Sequence, residues 1–327
     1  MRNRLGWVAV AAVALVVLPL IVSSFRTLEL ATVGVYFIAI LGLDVLTGQT
    51  GQISLGHGAL MAVGAYTTAI LVADHGVRDV WTIPVAAVVT GAVGLLAGIP
   101  ALRVRGVSLA LATFGVAVVV PTLFRKFDHF TGGPTGISFF GNSHQTGRGT
   151  GVTILGHHLG NNQWLYLLTW TIAGGLFLFA WWLLDSRFGR SLRAVRDSEV
   201  AAAAAGVDTA TYGVAAFGIS AAYAGVAGSL LAINNAYVSP SSFPVGLSLY
   251  LIVGATVGLF GSIWGAALGA LLIQFLPDIV GAIPSVDTSR AGPTTFAFGA
   301  LLVGAMLALP IVVRLGRSYP RWRWPGS

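Results

Sequence analysis

ELATVGVYFIAILGLDVLTGQTGQISLGHGALMAVGAYTTAILVA, residues 29–73, holds two apolar runs that meet in a polar, glycine-rich stretch, Gly48–Gly58. Each run is long enough for the hydrocarbon core of a bilayer, which takes about 20 helical residues. The stretch between them poses the first question. Irregular backbone at membrane depth survives only when it is buried in protein or lines a wet cavity, because lipid cannot pair its N–H and C=O groups. Gly48–Gly58 therefore reads either as part of a translocation path or as an ordinary turn in which glutamine and serine cap the next helix.

The same pattern extends along the 327 residues. Apolar runs at 6–24, 29–46, 54–73, 82–101, 107–124, 164–184, 210–232, 246–260, 263–282 and 293–313 predict an all-α integral membrane protein: one polytopic bundle of about ten transmembrane helices, 1–327, with a broken or re-entrant segment at 48–58. The chain is 56% hydrophobic and 9% charged with mean hydropathy +0.84, and no soluble core could use that much apolar surface. The first run follows Arg2 and Arg4, but Phe25 and Arg26 stand where a small-residue cleavage site would be expected, so it reads as a retained helix. With the N-terminus inside, twelve basic residues fall in cytoplasmic segments and six on the opposite side. That bias predicts a multi-pass protein of the cell inner (cytoplasmic) membrane with both termini cytoplasmic. The same bias accounts for the net charge of +7 without nucleic acid. Glycines at three- and four-residue spacing, Gly91, Gly94 and Gly98, and Gly254, Gly258, Gly261, Gly265 and Gly269, predict close helix packing.

Catalytic chemistry finds little support. The sequence has no GxSxG elbow and no HExxH, and its one lysine, Lys126, lies between Arg125 and Phe127 rather than in a phosphate-binding loop. The chain thus reads as no enzyme, and ATP would have to be used by another protein. Cysteine is absent, and the histidines, including the adjacent His157 and His158, show no metal-ligand spacing, so no metal or other cofactor is expected. Few ionisable residues fall within the spans: Glu29 and Asp278 near outer ends, and Asp44 near the inner end of its run. Ion-coupled carriers usually place such groups near the midplane, which counts against an autonomous secondary transporter.

Two further segments suggest partners. Ser186–Val207, SRFGRSLRAVRDSEVAAAAAGV, carries charge and strong helix signals on the cytoplasmic face. Asp197 or Ser198 can cap a helix, the alanines propagate it, and Gly206 can end it in a left-handed conformation. Arginines alone would suit anionic lipid, but the added Asp197, Glu199 and alanine run suit docking onto another protein. The outer loop 125–163, with Thr131–Gly136 reading TGGPTG, is long enough to serve as a docking surface for a soluble partner.

Four blocks carry a resemblance: GQTGQISLGHGALMAVGAY; ALRVRGVSLALATFG with FDHFTGGPTGIS; SRFGRSLRAVRDSEVAAAAAGVD; and YVSPSSF with GLFGSIWGAALGALL. Together they resemble the LivM-type permeases of branched-chain amino acid ABC importers, in family order from residue 48 to about 272. The resemblance implies a permease that moves substrate inward by alternating access. Its implied partners are a LivH-type second permease, two cytoplasmic ATPases that bind ATP and magnesium, a periplasmic or lipid-anchored binding protein, and membrane lipid. By position it puts Gly189, Arg190, Arg193, Asp197, Glu199 and Gly206 in the element that couples to an ATPase. Gly48, Gln49, Gly51, Gln52, Ser54, Gly56 and His57 would line or support the path. An importer subunit for urea or short amides, or a sugar permease, would share this machinery. The all-alanine run 201–205 departs from relatives that often carry a second acidic residue there, and the insertion Gly141–Gly160 is also unusual.

Overall fold

The apolar run at 29–46 becomes the spine of the fold. The computed structural model describes residues 22–101, 107–141, 152–154, 157–258 and 265–281, together with residues 19, 145, 296, 299, 300, 303 and 304. Helix α1 (Ser24–Leu43) passes into a π-helical turn, Asp44–Gly48. The backbone is non-helical from Gly51 to Gly56, after which α2 (His57–Ala73) begins. There follow α3 (Asp79–Ala101), α4 (Val107–Lys126), the single turn α5 (Asp128–Thr131) and α6 (Asn161–Asp185). The remainder comprises α7 (Arg187–Asp197), α8 (Glu199–Ala204), α9 (Thr209–Asn235), α10 (Val245–Val257) and α11 (Gly265–Gly281).

Among the described residues, six helical segments are long and apolar enough to cross a membrane, and His57–Ala73 and Gly265–Asp278 are shorter apolar helices. The predominantly helical, multi-span architecture is the one expected, and the segment ends fall within a few residues of the expected ones. The expected spans 6–24 and 293–313 lie almost wholly outside the described residues.

Two helices occupy the centre. The most apolar windows of α1 and α9 are 83% and 89% buried, against 33%, 22% and 28% for α3, α4 and α6. The outer helices turn Val88, Leu96, Leu111 and Phe179 outward, an apolar lateral surface that suits hydrocarbon and not water. Because lipid offers no hydrophobic drive for helices to associate, packing depends on close backbone approach. Gly64 of α2 lies against the Gly225 backbone of α9, Gly228 of α9 against the Met61 carbonyl of α2, and Gly94 of α3 against Ala221 and Phe217 of α9. A Cβ at any of the three would overlap those atoms. Gly254 and Gly269 make the same kind of contact between α10 and α11. The glycine spacing read from sequence is thus a packing device; Gly261 lies outside the described residues.

Aromatic contacts join α1 to α6. Phe37 lies beside Trp170 and Phe177 with ring centroids 6.0 and 6.1 Å away, and Trp170 Nε1 donates to the Leu30 carbonyl at 3.0 Å. At the end away from the break, β1 (Ile137–Ser138) pairs antiparallel with β4 (Tyr237–Val238), and β2 (Val152–Ile154) with β3 (His157–Leu159). The expected loop 125–163 is therefore in part a built cap. Gly136 takes φ +73°, and a Cβ there would overlap the Val238 carbonyl, so this turn can seat the strand that leaves α9 only with glycine. Most of the Gly141–Gly160 insertion lies outside the described residues.

Gly64→Val should lower the thermal stability of the detergent-solubilised protein by about 1–3 kcal/mol, the usual cost of overpacking. Gly174→Ala in α6, with no atom within 4 Å of the added methyl, should leave it unchanged or raise it by up to about 1 kcal/mol. Equal effects of the two in a thermal unfolding assay would contradict the packing role.

Candidate functional site: a broken helix clasped by a surface helix pair

Six residues of non-helical backbone lie between α1 and α2, and the protein pairs much of it. Thr47 Oγ1 donates to the Gln52 carbonyl at 3.1 Å, and the Gln52 N–H donates to Thr50 Oγ1 at 3.3 Å. The Leu55 N–H donates to Thr113 Oγ1 of α4 at 2.9 Å, and the Gly56 N–H to Ser54 Oγ at 3.4 Å. One residue into α2, the Gly58 N–H donates to Ser248 Oγ of α10 at 2.9 Å. Gly51 takes φ +74°, a left-handed conformation that glycine adopts without penalty. At Gly56 a Cβ would come within 3.2 Å of the Thr113 carbonyl, so that backbone fits tightly against α4.

His57 opens α2 and is 1% exposed. Its Nε2 lies 2.8 Å from Ser220 Oγ of α9, and Ser220 Oγ donates to the Gly42 carbonyl of α1 at 2.6 Å. A hydroxyl has one proton to give, so Ser220 must accept from the imidazole, which puts the His57 proton on Nε2. Ser220 is the twelfth residue of α9, about 16 Å along its axis at about 1.5 Å per residue, so α2 begins inside the bundle and not at its edge. His57 Nδ1 and Gln52 Oε1 are buried without a hydrogen-bond partner among the described residues. Gln49 and Ser54 are also buried.

The segment 186–207 lies across the end of α1. Ser186 Oγ caps α7 by accepting from the Phe188 N–H at 3.1 Å, and Ser198 Oγ caps α8 by accepting from the Ala201 N–H at 3.2 Å. Of the two expected caps, Ser198 is thus the one used. Asp197 instead pairs with Arg196 at 3.3 Å. Gly206 follows α8 with φ +84°, as its place after the alanines predicts. At Gly189 a Cβ would overlap the Leu184 backbone, so glycine lets α7 fold back under the end of α6.

Three arginines of α7 donate to helix C-terminal ends. Arg190 Nη1 reaches the Asp185 carbonyl at 3.1 Å and Arg193 Nη1 the Leu184 carbonyl at 3.0 Å, both at the end of α6. Arg193 Nη1 also lies 3.5 Å from Gln49 Oε1, and Arg196 Nη1 donates to the Gly48 carbonyl at 2.8 Å. Carbonyls at a helix C-terminus lack intrahelical partners and carry partial negative charge, so cations are favoured there. The two stretches singled out separately in the sequence therefore lie in direct contact. Glu199 accepts from Thr209 Oγ1 at 3.3 Å, linking α8 to the start of α9. Asp208 caps α9 by accepting from the side chain and N–H of Thr211, which holds its carboxyl below the usual range. A depressed pKa means that this cap's contribution is present above the ordinary aspartate value and is lost only as pH falls through the lowered one.

On its other side α8 carries a free face. Val200 is 81% exposed, and Ala201, Ala203, Ala204 and Ala205 are exposed with it. Away from the site, Glu29 and Asp278 come together with Arg26 around a cavity of about 850 Å³ at the end opposite the break. Asp44 is buried in the π-helical turn. Sequence reading passed over Ser220 and Ser248, and took Thr113 only as part of a motif; their signal was a lone hydroxyl within an apolar run, which is common in such helices.

A family model described as "Branched-chain amino acid transport system / permease component" matches residues 27–310. The chain belongs to this family. The permease is 34% identical over 288 residues to the high-affinity branched-chain amino acid transport system permease protein LivM of Escherichia coli (strain K12), covering 83% of this chain and 67% of the relative. Its identity to the LivM protein of Salmonella typhimurium (strain LT2) is 33% with the same coverage. No solved structure matches the permease.

Thr113→Val removes the acceptor for the Leu55 N–H while keeping its shape. The permease should lose about 1–3 kcal/mol of stability, the cost of stranding a buried donor, and Thr113→Ser should recover most of it. Thermal unfolding in detergent reads the difference, and equal stability of the two variants would argue against this role.

Proposed function

We infer that the chain is the permease subunit of an ABC importer for branched-chain amino acids, moving substrate inward by alternating access driven by separate ATPases. The observation that carries this reading is the junction of the broken helix with the α7–α8 pair, in a chain that belongs to the branched-chain amino acid permease family. In this reading the exposed Val200 and alanine face of α8 docks in a cleft on an ATPase, where small side chains allow close approach. Gly189, Arg190, Arg193, Asp197, Glu199 and Gly206 shape and hold that element. ATP and magnesium are bound by the ATPases.

The break itself, Gly48–His57, is the proposed translocation site, re-entrant from the cytoplasmic side in a bundle of about ten spans with both termini cytoplasmic. A zwitterionic, apolar amino acid needs dipoles more than fixed charges, and the N-terminus of α2 supplies one. His57 Nδ1 and Gln52 Oε1 are buried acceptors beside it, suited to an ammonium group. A LivH-type second permease completes the membrane pair, and a periplasmic or lipid-anchored binding protein delivers substrate to the opposite face, where the β1–β4 cap sits.

Val200→Asp tests the reading. A carboxylate carried into an apolar docking cleft should reduce recovery of co-purifying ATPases and amino-acid uptake by about tenfold or more, since an unpaired buried charge is costly. The unfolding free energy of the permease alone should stay within about 0.5 kcal/mol of the parent, as for other surface substitutions. Undiminished uptake would argue against the docking face.

A further inference from the structure

The end of α1 and the π turn that continues it are held at both ends. At Gly42 the chain is pinned to α9: Ser220 Oγ donates to its carbonyl at 2.6 Å, and a Cβ there would lie 2.6 Å from that of Tyr223. At Gly48 the carbonyl is held by Arg196 of α7 at 2.8 Å, and the next side chain, Gln49, lies 3.5 Å from Arg193. Between the two points the helix changes from α to π over Asp44–Gly48. π turns are rare, occur mostly as single turns inside α-helices, and recur at functional sites. Just past the clasp Gly51 takes a left-handed conformation, and Arg196 Cγ packs 3.3 Å from where a Cβ would stand.

The far side of the break is tied to other helices, through Thr113 of α4, Ser220 of α9 and Ser248 of α10. The break is therefore spanned by two sets of bonds. One leads to the α7–α8 surface pair and the end of α6, and the other to the bundle core.

We propose that Arg196 and Arg193 are the linkage that carries movement of the α7–α8 pair into the membrane part, by pulling the terminal segment Asp44–Thr50 about the π turn while α1 up to Gly42 stays pinned to α9. The proposal rests on the importer reading above and deepens it. Arg196 is suited to this role because its guanidinium can hold a carbonyl and a carboxylate together: Asp197 lies 3.3 Å from its Nε and 3.4 Å from its Nη2. That exposed ion pair adds little stability, and its effect is to orient the donor. Arg193 joins Gln49 to the Leu184 carbonyl, so α1 and α6 are moved together. Both arginines act as positioning residues.

The test uses the complete importer, permease pair with its ATPases, in proteoliposomes, measuring ATP hydrolysis and amino-acid uptake side by side. Arg196→Gln should leave ATPase recruitment and ATP hydrolysis close to the parent while uptake per ATP falls roughly tenfold, the order expected on losing a charge-assisted hydrogen bond. Arg196→Lys keeps a cationic donor and should retain more of the ratio than Arg196→Gln. Because the chain contains no cysteine, Gln49→Cys with Arg193→Cys gives a single addressable pair. Uptake per ATP should be low before, and restored after, joining that pair with a short bifunctional thiol reagent.

An unchanged ratio in Arg196→Gln, a loss of ATPase recruitment in place of the ratio, or a cross-link that blocks uptake would each overturn the linkage. If the parent permease recruits no ATPase, the importer reading itself fails, a result distinct from all of these.

Discussion

The constraint on which the rest depends is that a hydrocarbon environment offers no partner to a peptide group. A helix meets that demand within itself; the non-helical stretch Gly51–Gly56 does not, and side chains of the stretch itself and of α4 pair several of its groups. Thr113, Ser220 and Ser248 come from three different helices, and each places one hydroxyl where the broken backbone or His57 requires it. Such hydroxyls would each be a small liability in an apolar helix without a partner. Together they determine how α4, α9 and α10 must sit around the start of α2.

Close packing makes that arrangement possible. The Ser220 contacts are short because α9 approaches α1 and α2 nearly backbone to backbone, through Gly42, Gly64, Gly225 and Gly228. A larger side chain at these positions would move the helices apart and strand the polar groups of the break. Glycine packing and the polar break are thus one design, in which the first sets the distances that the second needs. At the surface the chemistry changes from hydroxyl to guanidinium. There the groups to be held are C-terminal carbonyls near solvent, where a cation is favoured by the helix dipole and need not be desolvated.

The charged groups are distributed in keeping with this division. Arginines gather on α7, at the ends of α1 and α6, while Glu29, Arg26 and Asp278 share the cavity at the far end. Between them the centre of the bundle is largely apolar, with hydroxyls, His57, Gln49 and Asp44 as polar exceptions. That pattern suits a neutral, zwitterionic solute more than a coupled ion, and agrees with membership in an amino-acid permease family.

Much of this was legible in the sequence, because it depends on local period and residue chemistry. The apolar runs located the helices, glycine spacing marked the close contacts at Gly94, Gly254 and Gly269, and Asp197 or Ser198 with Gly206 bounded α8. The polar stretch at 48–58 marked the break. What the sequence left open was with which residues that stretch paired. Arg196 and Gly48 are 148 residues apart, His57 and Ser220 are 163 apart, and Gly58 and Ser248 are 190 apart. No periodicity connects positions so distant, and a single serine in an apolar run looks the same whether it faces a neighbour or a broken backbone. Residue chemistry by itself determined that the chain spans a membrane, packs through glycine and carries a capped surface helix. Only the tertiary structure decided that this surface segment holds the Gly48 end of the helix that precedes residues 51–56, because that depends on which helix ends are brought within hydrogen-bonding reach of one another.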